Sequence, residues 1–391
     1  MMERLGWMIK TGTLVAVLLL AGCGKGESAY QEGMKLAESG KYEKALSKFQ
    51  QAIKEDGEVS DYHIGCGMAY IHMGKYEDGV RVFENAMDKL KESAAKEDKK
   101  QFYYGNALGL SGMGECEQAL AYCDKALKID LLGDMDADIG YTKAVCLKNQ
   151  GKYEEAGEIL QEIIKENKKD WQAYYELANV QEKLGQRKDA AKTYEKIAEE
   201  EKEEGTAHFA LYRLYNLMGE AESAEKALDE VLGWNTKKAS NALAVGRAYY
   251  CKKDMASARK YMQMAYDGNC PESLYYLGVL SMEEKDYQDA EERFLAYIKE
   301  NEENLDAEVY NQLALAMMEQ EAYEKAQDYL NQGMERGMTE AEPGLQKSQV
   351  ILYEKQKKYE EALETAREYV KRFPGDEEMK KELSFIKTRM K

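Results

Sequence analysis

A six-residue phrase returns along almost the whole chain. Gly40-Lys41-Tyr42-Glu43-Lys44-Ala45 recurs as Gly74-Lys75-Tyr76-Glu77-Asp78-Gly79 and as Gly151-Lys152-Tyr153-Glu154-Glu155-Ala156. Looser copies end at Ala119, Ala190, Ala224, Ala258, Ala290, Ala326 and Ala362. Measured from this last small residue, the anchor, the steps are 34, 40, 37, 34, 34, 34, 32, 36 and 36 residues, which places ten copies in a chain of 391. A period of this size makes each copy one supersecondary unit that cannot bury its apolar face alone and leans on its neighbours.

Other columns hold at fixed offsets. Twelve residues before the anchor stands a small residue in most copies, including Gly33, Gly67, Ala107, Ala144, Ala178, Gly246, Gly278 and Ala314. Four after it comes a larger one, such as Phe49, Phe83, Leu160, Tyr194, Leu228, Phe294 or Leu330, and seven after it Ala52, Ala86, Ala126 and Ala265. Two helices of about 14 residues, each roughly 21 Å long, would be marginal alone. Small residues at their crossing let the axes approach within about 8–10 Å, and the large residue fills the gap against the next pair. With only 3 prolines in the chain, composition agrees with helix throughout.

Small, anchor, large and small residues at these offsets, with a glycine before the anchor, resemble the tetratricopeptide repeat. The resemblance covers about residues 29–375 and implies an all-α, right-handed superhelical solenoid of about ten helix-turn-helix units. Two departures stand out: the proline often found after the second helix appears at its offset only as Pro374, and the sixth copy has bulky Tyr212 at a packing position. An array of this kind needs a last helix with a polar outer side. Residues 376–391 fit a capping helix, with Met379, Leu383, Ile386 and Met390 on one face.

The first 22 residues differ in kind. Arg4 and Lys10 precede the apolar run from Thr13 to Leu20, too short to span a bilayer, and the pattern is that of an export signal. It ends in Leu20-Ala21-Gly22-Cys23, which resembles the lipobox of bacterial lipoproteins. That resemblance implies cleavage before Cys23, acylation of its thiol and a place on the extracytoplasmic side of a membrane, with 23–28 as a short linker. Two or more acyl chains give stable anchoring where one does not. The whole chain carries −18, and losing Glu3, Arg4 and Lys10 with the signal removes a net +1 and leaves −19. Such a charge repels anionic headgroups and disfavours nucleic acid, so the acyl chains and not the protein surface must hold the membrane.

Catalytic chemistry finds no foothold. The three histidines, His63, His72 and His208, lack the spacing of a metal site, and no metal or cofactor is expected. Gly109-Leu110-Ser111-Gly112-Met113-Gly114 looks superficially like a nucleophile elbow but reads as the turn of the third copy. No enzyme is indicated. Six cysteines follow Cys23, and most read as small buried hydrophobes. Cys116 and Cys123 are two helical turns apart, about 10 Å, and Cys251 and Cys270 belong at opposite ends of a hairpin, so no disulfide is expected. The longer steps of 40 and 37 residues fall near Lys96-Glu97-Asp98-Lys99-Lys100 and near Asp130 to Asp134, which read as solvated loops or helix ends, as does the acidic stretch Glu199 to Glu204.

Function is left to the face lined by first helices, which in the resembled family forms a groove for peptides or protein segments. Fifteen residues before the anchor the column reads Tyr30, Ile64, Tyr104, Tyr141, Tyr175, Phe209, Leu243, Tyr275, Asn311 and Lys347. Tyrosine offers contact area at low entropic cost, although these rings equally well fill the wall of the array. Eleven before the anchor the column turns polar and basic at its centre, with Asn179, Arg213 and Arg247 between apolar ends. Two inward arginines need a carboxylate, either internal, with Glu182 as the nearest choice, or on a ligand. Similar basic and Asn side chains in that family hold a peptide's terminal carboxylate. The expected ligand is a protein or peptide held by Tyr104, Tyr141, Tyr175, Asn179, Phe209, Arg213, Arg247 and Tyr275; the alternative is a glycan stacked on the tyrosines.

Overall fold

The computed structural model describes residues 24–201, 203, 205–301, 307–335 and 342–389. Among the described residues there are 21 α-helices, one short 3-10 helix and no strand. Cys23, the lipobox and Met390 lie outside the described residues. The chain forms two compact units, Met1–Glu200 and Glu201–Lys391.

In the first unit, hairpins α1 (Glu27–Glu38) with α2 (Tyr42–Glu55), α3 (Ser60–His72) with α4 (Tyr76–Lys89), and α5 (Lys96–Gly112) with α6 (Cys116–Leu127) follow one another. They continue as α7 (Asp136–Asn149) with α8 (Tyr153–Glu166), and α9 (Trp171–Lys183) with α10 (Arg187–Glu200). The second unit repeats the scheme with α11 (Gly205–Met218), α12 (Ala221–Leu232), α13 (Ala239–Cys251), α14 (Met255–Asp267), α15 (Ser273–Glu283) and α16 (Tyr287–Glu300). It ends in α17 (Glu308–Glu319), α18 (Tyr323–Glu335), α19 (Glu342–Lys355), α20 (Tyr359–Arg372) and the single helix α21 (Glu377–Arg389). Inside each unit every helix packs on the next one in sequence. Since α1 begins at Glu27, the segment expected to be a free linker through residue 28 is already helical at its end, and the Lys25 carbonyl accepts a hydrogen bond from the Tyr62 hydroxyl.

All ten anchors are buried. The reason is clearest around two rings. A Cβ on Gly33 or Gly65 would come within 2.7 or 2.8 Å of the Phe49 ring, and one on Gly67 or Gly105 within 2.5 or 2.4 Å of Phe83. Each second-helix ring is thus clasped between its own first helix and the next one, where only hydrogen fits. The sixth copy accommodates Tyr212 half-buried beside Leu228, Val231 and Val245.

The turns between paired helices are uniform. Five residues before the anchor, Gly40, Gly74, Gly114, Gly151, Gly185 and Gly219 have φ of 70–78°. The last four copies hold Lys253, Lys285, Glu321 and Lys357 there, at φ of 57–63°. In all ten the next residue donates its N–H to the carbonyl five positions back, at 2.8–3.0 Å, as in Lys41 to Leu36 and Lys358 to Tyr353. This is the six-to-one bond of a Schellman cap, which satisfies the orphan carbonyls of the first helix.

The two long steps are connected. The first adds residues at the start of α5 and the second builds the connection from Lys128 to Met135. Lys100, expected in solvent, is instead 0% exposed. Its ammonium donates to the carbonyls of Ile129 and Leu131, at 3.0 and 2.5 Å, and to Asp136 Oδ1 at 2.6 Å. One insertion supplies the cation and the other its acceptors, so desolvation of the charge is offset by three charge-assisted bonds. Its neighbours in the run stay at the helix end, as does Glu199 at the end of α10.

At the far end, Met379 and Ile386 of α21 are buried and Leu383 is half-buried against α20. Asp376 accepts from the Met379 N–H as N-cap and from the Tyr369 hydroxyl, and pairs with Lys347 at 2.7 Å. Lys347, last of the column fifteen before the anchor, is therefore committed to closing the array.

Candidate functional site

The first-helix residues separate into those spent on packing and those left partly open. Tyr104 and Tyr141 are 2% and 3% exposed. Tyr104 belongs to the cluster around Phe83, Phe102 and Ile139. The Tyr141 hydroxyl donates to Glu176 Oε1 at 3.1 Å and accepts from Gln172 Nε2 at 2.9 Å, while Lys148 pairs with the other Glu176 oxygen at 2.8 Å. Little of either ring is left for a ligand to touch. Tyr175 is half-buried and tilts against Tyr194 with centroids 6.1 Å apart, and Asn179 is half-buried one turn on. Glu182, considered above as an internal carboxylate partner, accepts a hydrogen bond from the Tyr194 hydroxyl at 3.2 Å.

In the second unit, three successive first helices converge on one guanidinium. Arg247 of α13 lies 4.1 Å from the centroid of Phe209 on α11 and 4.7 Å from that of Tyr276 on α15. Both rings present their faces to the cation, an arrangement worth about 1–2 kcal/mol for a partly desolvated pair. The residue is half-buried, and among the described residues it has no carboxylate partner. Stacking leaves the in-plane N–H donors unused, and these are the groups that meet a carboxylate two at a time. Arg213 is exposed on α11, one turn beyond Phe209. Tyr275 packs among aromatic neighbours, Tyr276 edge-on at 5.3 Å and Phe294 and Tyr297 at 5.8 Å each.

The columns foresaw Phe209, Arg213, Arg247 and Tyr275. They missed Tyr276, which falls one place after the column fifteen before the anchor and carries no signal of its own. Within the second unit the partners of Arg247 are two aromatic faces, which accept a cation without neutralising it.

Among the described residues, no cluster of three or more histidines, cysteines or carboxylates could hold a metal ion, and no helix is long and apolar enough to cross a membrane. The six cysteines after Cys23 are free, four buried and two half-buried. Cys251 ends α13 and Cys270 follows α14, as anticipated.

No curated relative matches the sequence. Among solved structures the chain is similar to PilW, described as a widely conserved type IV pilus biogenesis factor, at 17% identity and TM-score 0.46 over 53% of this chain and 92% of that one. It is also similar to yeast Tom70, at 10% identity and TM-score 0.46 over 93% and 95%. A third is YrrB, described as a TPR protein with an unusual peptide-binding site, at 20% identity and TM-score 0.38 over 47% and 90%. Family models named Tetratricopeptide repeat match residues 149–214, 30–94 and 349–376. Those matches, falling on hairpins of the observed period, support a protein of the tetratricopeptide-repeat family.

Proposed function

We propose that the chain is a membrane-anchored, extracytoplasmic tetratricopeptide-repeat lipoprotein, acylated at Cys23, that works as a non-catalytic scaffold for a protein or peptide partner. Residues 1–22 are its signal peptide, and the repeats from residue 29 to 375, closed by the helix within 376–391, are its binding body. The observation that carries the binding reading is Arg247 held between Phe209 and Tyr276 with its edge donors unspent. A cation fixed by ring faces loses little entropy when a carboxylate arrives. Arg213 extends the positive character of the same face, and Tyr175 and Asn179 are the partly open first-helix residues of the other unit. The glycan reading has less to stand on, because Tyr104 and Tyr141 are buried and Tyr275 is occupied by neighbouring rings.

The binding test uses the full chain and an acidic dodecapeptide with a free C-terminus, measured by calorimetry beside its amidated twin and a cell-wall oligosaccharide. Arg247→Ala is expected to weaken the free-acid peptide by about 10- to 100-fold, the loss of one charge-assisted pair. Equal affinity of wild type and variant would overturn the site, and oligosaccharide binding lost in Tyr275→Ala would favour the glycan. Anchoring is tested separately: Cys23→Ser should leave the membrane fraction, and its retention there would refute acylation as the anchor.

A further inference from the structure

Three helices of the first unit bring two thiols together. Cys116 is the first residue of α6, Cys146 sits in the interior of α7, and Ser111 lies near the end of α5. The Cys146 thiol donates to Ser111 Oγ at 3.3 Å, and Cys116 packs in the same cluster, near enough to help push the Cys146 thiol up. Both cysteines line one apolar cluster with Val80, Leu110 and Ala119. Cys123, two turns along α6, packs instead in the neighbouring cluster with Phe83 and Phe102. The pair is invisible to spacing within hairpins because it bridges one hairpin and the next, 30 positions apart.

We infer that Cys116 and Cys146 form a reversible disulfide that staples α6 to α7 whenever a small-molecule or protein disulfide is present as oxidant. Exposure fixes the order of events, since Cys116 is 7% exposed and Cys146 0%. Cys116 gives its proton to solvent and its sulfur attacks one sulfur of the oxidant. The oxidant's S–S bond breaks, and its other half leaves as a thiolate that is protonated in water. Cys146 then loses its proton and attacks Cys116 Sγ, the mixed disulfide breaks, and the second half of the oxidant departs as a thiol. Two electrons have passed from the cysteines to the oxidant, which is reduced to two thiols. Burial pushes the Cys146 thiol up to about 12, so the second step is the slow one and accelerates as pH rises. Ser111, already bonded to the Cys146 thiol, holds that sulfur in place.

The inference does not depend on the ligand or on the anchor, although an exported protein would meet such oxidants readily. The full chain is incubated with oxidised glutathione at pH 8 and alkylated, then cut with trypsin and a glutamate-specific protease, which separates Cys116 from Cys123 at Glu117. Mass spectrometry without reductant should show a peptide joining Cys116 to Cys146, lost on adding dithiothreitol, together with a Tm higher by about 5 °C. The link should vanish in Cys116→Ser and persist in Cys123→Ser, with circular dichroism confirming that both variants fold. Three results in the wild-type chain would each overturn the inference: glutathione retained on Cys116, a link from Cys123 to Cys146, or both thiols still free after hours of exposure.

Discussion

Lys100 in the first unit and Arg247 in the second are both cations on first helices withdrawn from bulk water, and their surroundings differ in kind. Lys100 is met by two backbone carbonyls of the loop that the second insertion builds and by the carboxylate of Asp136, the first residue of α7. Arg247 is met by two ring faces and, among the described residues, by no anion. An ammonium is a compact charge that must be matched by oxygens when buried, whereas a guanidinium can be stacked on both sides and still present donors at its edge. The first arrangement consumes the charge and fixes a loop; the second stores it. The turns differ along the chain as well. Glycine takes the left-handed position in the first six copies, and lysine or glutamate takes it in the last four with the same hydrogen bond. The cap geometry, not the residue, is what the repeat requires.

The largest expected effect separates the two cations. Lys100→Ala should lower stability by about 3 kcal/mol, because it strands two carbonyls and a carboxylate, and thermal unfolding should show a Tm lower by roughly 6–12 °C. Arg247→Ala should cost about 1–2 kcal/mol in the same measurement; a loss equal to that of Lys100→Ala would erase the distinction drawn here. The turns come next. Gly74→Ala forces a Cβ into the left-handed region and should destabilise by about 1 kcal/mol, while Lys253→Gly relieves that strain and should stabilise by about 0.5 kcal/mol. Urea midpoints that moved in the same direction for both would show that the two sets of turns are not equivalent.

A further effect concerns the closing helix. Burial and the neighbouring Glu382 raise the Glu354 carboxyl to about 7. The folded state therefore holds a proton that the unfolded chain releases near the ordinary glutamate value, so stability should fall as pH rises from about 4.5 to 7 and level off above it. Because Glu354 is only half-buried, solvent screening reduces the change to about 1 kcal/mol. Glu354→Gln should flatten stability across that window, and an unchanged slope in urea titrations at pH 5 and 7.5 would show that the pair does not titrate as described.

Much of the fold was written in columns. The anchors, the clasping glycines and the turn position recur at fixed offsets, and an offset is legible wherever the same physical job is repeated. What happens once leaves no column. Lys100 looked like part of a solvated run because its acceptors, Ile129, Leu131 and Asp136, lie 29 to 36 positions away in a second insertion. Tyr276 went unnoticed because the pairing that matters crosses three helices. The left-handed non-glycine residues could have been found: Lys253, Lys285, Glu321 and Lys357 stand in register with the glycines, and position alone predicts their backbone. For the candidate site, the column found the charge, and only side-chain packing showed which tyrosines were already used up.

Lys347 occupies the place where, in earlier copies, an aromatic ring stands, and Asp376 has claimed it. A further hairpin added after α20 would have to evict α21, strip Asp376 of its lysine and uncover Met379 and Ile386. Gene duplication can lengthen such an array from within without touching that pairing, whereas a hairpin inserted directly after α20 would break it.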